Sequence, residues 1–396
     1  MTVEWFDLAQ RIHAAQTRQP VQRLAYALFR PPASAVAVRA TMPGGKPALT
    51  VASSPGGQAQ AAGRDALVLL AGNGAAITAS TPPTLLLDDP RTLGILKALA
   101  RQHATDPDTD VADAAALCGW WAERADHPGT SAVIDLLATS RTRYLLGTAP
   151  AAERQAAAWR EWFGITDDTC AGMHTWVAKT AGPQILPPLD AIHNDDVRSL
   201  HRARDRFRSG RDWTRPDSPL QAAVGLRSRC DSTDLWEAAL LTDPLWRQRA
   251  VHSGHVMTAI ITATAATAAR PGTTVLRCDR IDSRLRAGAS VIGWNGPLDT
   301  MPADREQFTA ELRDTRMEHG HRVLELAGFR FRNGRAPESD MRVCVLPAPP
   351  QPKVQAVTRG RYFDLYECRP WITGTDSPTP QRRAVPLDIL VAAAEE

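Results

Sequence analysis

LWRQRAVHSGHVMTAIITATAATAARPGTTVLRCDRI (residues 245–281) changes its apolar spacing at Gly254. Up to that glycine, STDLWEAALLTDPLWRQRAV (232–251) repeats apolar residues three or four apart, the spacing of an amphipathic helix. Beyond it, HVMTAIITATA (255–265) and TTVLRCDRI (273–281) are short runs of strand-forming residues. Four more follow: ASVIGWNG (289–296), QFTAELRDTRM (307–317), HRVLELAG (321–328) and MRVCVLPA (341–348). The turn signals RPG, LRAG, NGP, EHGH and FRNGRAPES separate them. Six strands at this interval predict a small β-barrel-like domain over 254–350, because closure removes exposed edges. FTAELRDTRMEHG (308–320) fits a helix as well as a strand.

Working back from Gly254, residues 106–253 read as a helical domain. VADAAALCGWWAERAD (111–126), SAVIDLLATSRTRYLLG (131–147) and PAAERQAAAWREWFG (150–164) have helical spacing, the last with Pro150 near its start and Gly164 past its end. DDTCAGMHTWVAKTAG (167–182) and DDVRSLHRARDRFRSG (195–210) each open on paired aspartates, which suit a helix N-terminus. PLQAAVGLRSR (219–229) adds another helix. Residues 1–105 read as a mixed α+β unit. It has helices at VEWFDLAQRIHAAQ (3–16) and RLAYALFR (23–30), strands at SAVAVRA (34–40), PALTVAS (47–53) and DALVLLA (65–71), and a strand, turn and helix in TLLLDDPRTLGILKALARQH (84–103). Residues 351–396 form a Pro-rich tail expected to pack through Tyr362, Phe363, Tyr366 and Trp371, with a short docking helix at PLDILVAAAEE (386–396). The fold class is therefore α+β and multi-domain.

Composition excludes several classes. With 396 residues, 43% apolar, 22% charged and 11 Trp, the chain has ample core material and is not disordered. No run approaches the roughly 18 apolar residues of a membrane span, and MTVEWFDLAQRIH lacks a signal-peptide layout. Six cysteines, at 118, 170, 230, 278, 344 and 368, stand singly with no C-x-x-C pair, so the expectation is reduced thiols in a cytoplasmic protein with no structural metal and no cofactor.

The basic side is 42 Arg against four Lys, and it is unevenly placed. Residues 60–200 hold 17 acids and 11 bases, whereas 198–229 hold nine Arg against three Asp. In a helix, Arg198, Arg202 and Arg206 share one face, with Arg204, Arg208 and Arg211 on an adjacent strip. Such a strip meets phosphates, and Phe207 and Trp213 stand near for base stacking. Equally, it is a solvated face paired with the acidic middle region. The barrel adds Arg277, Arg280, Arg284 and Arg286 around one connection and Arg330, Arg332 and Arg335 at another, with Trp294, Phe329 and Phe331 as the available aromatic platforms.

Other motifs carry less. AAAWREWFGITDDTCAGMHTWVAKTAG (156–182) has the outline of a helix-turn-helix around Gly-Ile-Thr, but its second helix opens on acids that phosphates would repel, so an ordinary helical hairpin fits better. His252 and His255 with Cys278, the pair His319 and His321, and His193 with Asp195, Asp196 and His201 lack a complete zinc spacing, and His193-Asn194-Asp195-Asp196 reads more simply as a helix cap. Asp88-Asp89, after the apolar run TLLL, is the best carboxylate pair for metal-assisted hydrolysis, although a turn into Pro90 accounts for it too. No G-x-S-x-G, P-loop or H-E-x-x-H occurs. The expectation is a non-catalytic accessory protein binding DNA or RNA, with a protein–protein scaffold subunit of a larger complex as the alternative and a metal-dependent hydrolase as the third reading.

Overall fold

The computed structural model describes residues 5–210, Thr214 and residues 219–349. Helix α1 (Trp5–Thr17) leads to β1 (Val21–Gln22), β2 (Ala35–Thr41), β3 (Ala48–Ser54), β4 (Gly57–Ala62), α2 (Arg64–Gly72), β5 (Thr84–Leu87) and α3 (Arg91–Gln102). Next come α4 (Thr109–Arg124), β6 (Val133–Asp135), α5 (Leu136–Arg143), β7 (Tyr144–Leu145), α6 (Ala156–Phe163), α7 (Gly172–Thr180) and α8 (Leu189–Arg208). Helices α9 (Pro219–Leu240) and α10 (Pro244–His252) precede β8 (Met257–Thr264), β9 (Gly272–Cys278), β10 (Ser290–Asn295), β11 (Gln307–Glu318), β12 (His321–Phe331) and β13 (Arg342–Pro347). This is the expected α+β architecture.

The N-terminal sheet runs β4-β3-β2-β5-β6, with β2, β5 and β6 parallel and β2, β3 and β4 an antiparallel meander. Period-two alternation sends its residues to two cores. Val36, Val38, Leu49, Val51, Leu85, Leu87 and Val133 meet Leu67, Leu70, Leu96, Leu99 and Trp121 of α2, α3 and α4 on one face. Ala37, Ala52, Leu86 and Ile134 meet Trp159, Met173, Trp176 and Leu189 of α6, α7 and α8 on the other. A sheet covered on both faces explains why TLLL in β5 is continuously apolar.

Several local expectations are corrected. DALVLLA is helix α2, not a strand, since Ala66, Leu67 and Leu70 recur at helical spacing on its buried side. RLAYALFR is not helical. Its backbone is pinned to distant chain by Arg23 N–H donating to the Arg143 carbonyl and Ala27 N–H to that of Gln184, while Leu24, Ala27, Leu28 and Phe29 are buried. SAVIDLLATSRTRYLLG is no single helix: β6 enters the sheet, Asp135 caps α5 by accepting from Ala138 N–H, and β7 pairs with β1. Neither aspartate pair opens a helix. Helix α7 starts at Gly172, and α8 starts at Leu189, six residues before Asp195. Residues 164–171 separate α6 from α7, and the face carrying Met173, Trp176 and Val177 is core, so the helix-turn-helix outline fails on both counts.

All six proposed strands after Gly254 form, including QFTAELRDTRM as β11, and they pair in a closed ring, β10-β11-β12-β9-β8-β13. Phe308, Phe329 and Phe331 pack mutually at centroid distances of 4.4–5.6 Å inside it, with Leu276, Leu312, Leu324, Leu326 and Val343. Gly293 of β10 has no room for more: a Cβ there would lie 2.0 Å from the Cys344 carbonyl oxygen. Outside the ring, Ile292, Trp294, Cys344 and Leu346 pack on Leu241 and Ala250, so the helical region covers the β10–β13 side. The buried Arg247 fastens this junction, donating to the Leu241, Thr242, Leu298 and Asp299 carbonyls, with its guanidinium 5.6 Å from the Trp294 ring. The Pro-rich tail and its docking helix lie outside the described residues.

Candidate nucleic-acid interface

Helix α8 packs by an apolar stripe. Leu189 and Ile192 enter one core, while Leu200, Ala203 and Phe207 enter the other, which removes Phe207 as a stacking platform. On the inward side, Asp196 is buried at 3% exposure. Its carboxylate accepts from Arg124 Nε at 2.7 Å, Thr130 Oγ1 at 2.9 Å, and Ser131 N–H and Oγ at 2.7 and 2.9 Å. Arg124 also reaches Asp195 at 3.2 Å. The aspartates proposed as a cap or as metal ligands are thus the acceptors of a buried arginine, about two turns inside the helix from its N-terminus. His193, their supposed companion, has a buried Nε2 with no partner among the described residues and a pKa lowered by burial.

The proposed phosphate-binding arginines divide. Arg204 turns inward and donates to the Ile77 and Ala79 carbonyls of the loop entering β5. Arg198 is exposed but lies 3.4 Å from Asp195, and Arg206 lies 3.9 Å from Glu123. Arg202 and Arg208 are exposed and have no ion pair among the described residues. Arg211 and Trp213 lie outside them. On the barrel, Arg280 is held by Asp282 through two 2.9 Å hydrogen bonds. Leu285 is buried in the barrel core, so the flanking Arg284 and Arg286 are exposed. Arg277, on the outer face of β9 between inward Leu276 and Cys278, is exposed too. These three have no acidic partner among the described residues. At the second connection, Arg332 is 3.5 Å from Asp304, whereas Arg330 and Arg335 are exposed. The barrel aromatics do not form a platform: Trp294, Phe329 and Phe331 are all buried.

Asp88, Asp89 and Asp135 gather at the carboxyl ends of β5 and β6, beside the point where the strand order reverses between β2 and β5. Open α/β sheets bind ligands at such points. Burial, and after it the charges of Asp88 and Asp89, raise the Asp135 carboxyl above its usual range. Both Asp88 oxygens, however, accept from arginine: Oδ1 from Arg39 Nε at 3.4 Å, and Oδ2 from Arg39 Nη2 at 2.7 Å and from Arg160. Asp89 pairs with Arg91, which holds its carboxyl below the usual range. The guanidinium groups stand where a cation would bind.

Among the described residues no three His, Cys, Asp or Glu side chains are placed to hold a metal ion. Cys278 is buried in the barrel, while His252 and His255 are exposed. The five described cysteines, 118, 170, 230, 278 and 344, are unpaired thiols, and burial pushes those of Cys118, Cys170 and Cys278 up to about 12. No described helix is long and apolar enough to cross a membrane. Sequence reasoning found the arginines but missed which of them are spent, because the acceptors of Arg204 are backbone carbonyls more than a hundred residues away. It also missed Arg39 and Arg160, whose link to Asp88 follows only from the sheet order. Comparison with protein-family models, with curated proteins and with solved structures found no match.

Proposed function

We propose that this chain is a non-catalytic, cytoplasmic nucleic-acid-binding accessory protein that grips phosphates through α8 and, on the barrel, through the end of β9 and the 279–289 connection that follows it. The supporting observation is that Arg202 and Arg208 on α8, and Arg277, Arg284 and Arg286 on the barrel, are exposed guanidinium groups with no carboxylate partner among the described residues. An arginine already paired with Asp or Glu exchanges one anion for another on binding, whereas an unpaired one gains a bidentate phosphate contact and releases counterions. Phosphate contacts carry no base information, so the binding is indifferent to sequence. The test is fluorescence anisotropy of a labelled mixed-sequence duplex titrated with the protein at several salt concentrations. Tight binding at low salt, falling with log[salt] at a slope of about −4.5 for five contacts, is the expected result. Absence of binding at low salt contradicts the reading.

The alternative, a protein–protein scaffold subunit, is favoured by apolar side chains among the same arginines: Val197 is 52% exposed beside Arg198, and Ile281 61% exposed beside Arg280. An inorganic polyphosphate that competes fully with the duplex supports the phosphate reading, because it offers the apolar residues nothing. The hydrolase reading has less support, since the Asp88 carboxylate is engaged by Arg39 and Arg160.

A further inference from the structure

The two edges of the N-terminal sheet are managed differently. Strand β6, at one edge, is three residues long, and its Val133 and Ile134 are buried. Shortness and cover are two of the usual protections of an edge. Strand β4, at the other edge, has neither. It is six residues long, GQAQAA, and every residue except Ala61 is exposed. It pairs with β3 alone, in the register Leu49 to Ala61, Thr50 to Gln60 and Val51 to Ala59. Among the described residues nothing bonds to its outer backbone groups. It carries no Lys, Arg, Asp, Glu or Pro, and the register shift in its pairing places the extra residue on β3, between Val51 and Ser54, rather than on β4 itself. In a chain with 22% charged residues, an unguarded strand of this length is a template for β-augmentation.

We propose that β4 pairs antiparallel with β4 of a second copy of this chain, joining two five-stranded sheets across a two-fold axis. The sequence of this strand is compatible with itself in antiparallel register. A two-fold perpendicular to a continuous sheet places residues of the same face opposite each other, so Gln60 meets its own copy, Ala59 meets Ala61 and Gln58 meets Ala62. None of these pairs opposes like charges or two bulky side chains. The register keeps each sheet's faces continuous, because Ala61 packs toward the α2 side in both copies while Gln58, whose Oε1 accepts from Cys170 N–H, stays on the α7 side. Such isologous contacts close on themselves and give dimers rather than fibres. The Pro55-Gly56 turn before the strand and the start of α2 at Arg64 after it limit the length of the ladder.

Sedimentation equilibrium of the full chain over a concentration series tests this. The weight-average mass rises from the 43.0 kDa of one chain toward twice that value by about 100 µM. Gln60→Lys, which places two like charges face to face at the two-fold, keeps the protein monomeric with an unchanged circular dichroism spectrum. An equimolar mixture of Gln60→Lys and Gln60→Glu restores the dimer. A wild-type protein that stays at one chain mass throughout overturns the proposal, as does a dimer indifferent to Gln60→Lys or a mixture that remains monomeric. None of these readouts depends on nucleic acid.

Discussion

The inner side of α8 and its outer side use the same residue type for opposite ends. Inward, the Asp196 carboxylate and the Arg124 guanidinium, both at most 3% exposed, share a network that also engages Thr130 and Ser131. Outward, Arg202 and Arg208 stand in water with no carboxylate among the described residues. A buried pair is costly to break, because removing one partner strands a charge in a low-dielectric interior. An exposed arginine contributes almost nothing to folding and remains available to a ligand. The contrast recurs across the molecule: Arg39 and Arg160 on Asp88, and Arg11 on Glu153, belong with the inner class, whereas Arg284 and Arg286 belong with the outer. Arginine content alone therefore says little about binding, and the presence or absence of a partner says much more.

The largest effect is expected at Asp196. Asp196→Ala leaves the buried Arg124 with Asp195 alone, strips two hydroxyls and the Ser131 N–H of their acceptor, and lowers stability by about 3–5 kcal/mol in urea denaturation. A loss below about 1 kcal/mol breaks the distinction between the two sides of the helix. Asp88→Asn comes next: the fold keeps the shape of the site but loses the charge between Arg39 and Arg160. A loss of about 2–3 kcal/mol is expected, less than at Asp196 because Arg39 is partly exposed. His127 sharpens the comparison from the acid side. Burial, followed by the neighbouring Arg124 charge, lowers its pKa below the ordinary 6.5, so the native state prefers the neutral ring. Its contribution is fully present above pH 6.5 and is lost as pH falls through the lowered native pKa. Stability measured between pH 7 and pH 5 should fall less steeply in His127→Phe than in the wild type, and equal slopes would remove His127 from the account.

What was legible in the sequence followed how much of each element's structure its own residues dictate. The six barrel strands alternate and are separated by Gly-rich turns, so periodicity identified them, and the ambiguous 308–320 run became a strand because β10 and β12 flank it. Short apolar runs were less informative. DALVLLA is compatible with either period, and the edge strand GQAQAA has no β-branched residue to announce it. RLAYALFR has helical spacing, but backbone bonds to Arg143 and Gln184 override it. At the proposed interface, the sequence marked the arginine-rich helix, though it could not separate Arg204, spent on two backbone carbonyls, from Arg202, its neighbour on the exposed side. Partner choice is set by contacts between residues far apart in the chain, and local spacing does not encode it.

The smallest effect on folding, about 0.5 kcal/mol or less, is expected for Arg202→Ala combined with Arg208→Ala. The same double variant tests the central claim most directly, through the salt dependence of duplex binding measured beside the wild type. The account predicts unchanged folding, weaker binding to every sequence tried, and a plot of log affinity against log[salt] flattened by roughly two units, one for each phosphate contact removed. An unchanged slope with unchanged folding contradicts it, because the exposed arginines of α8 would then hold no phosphate.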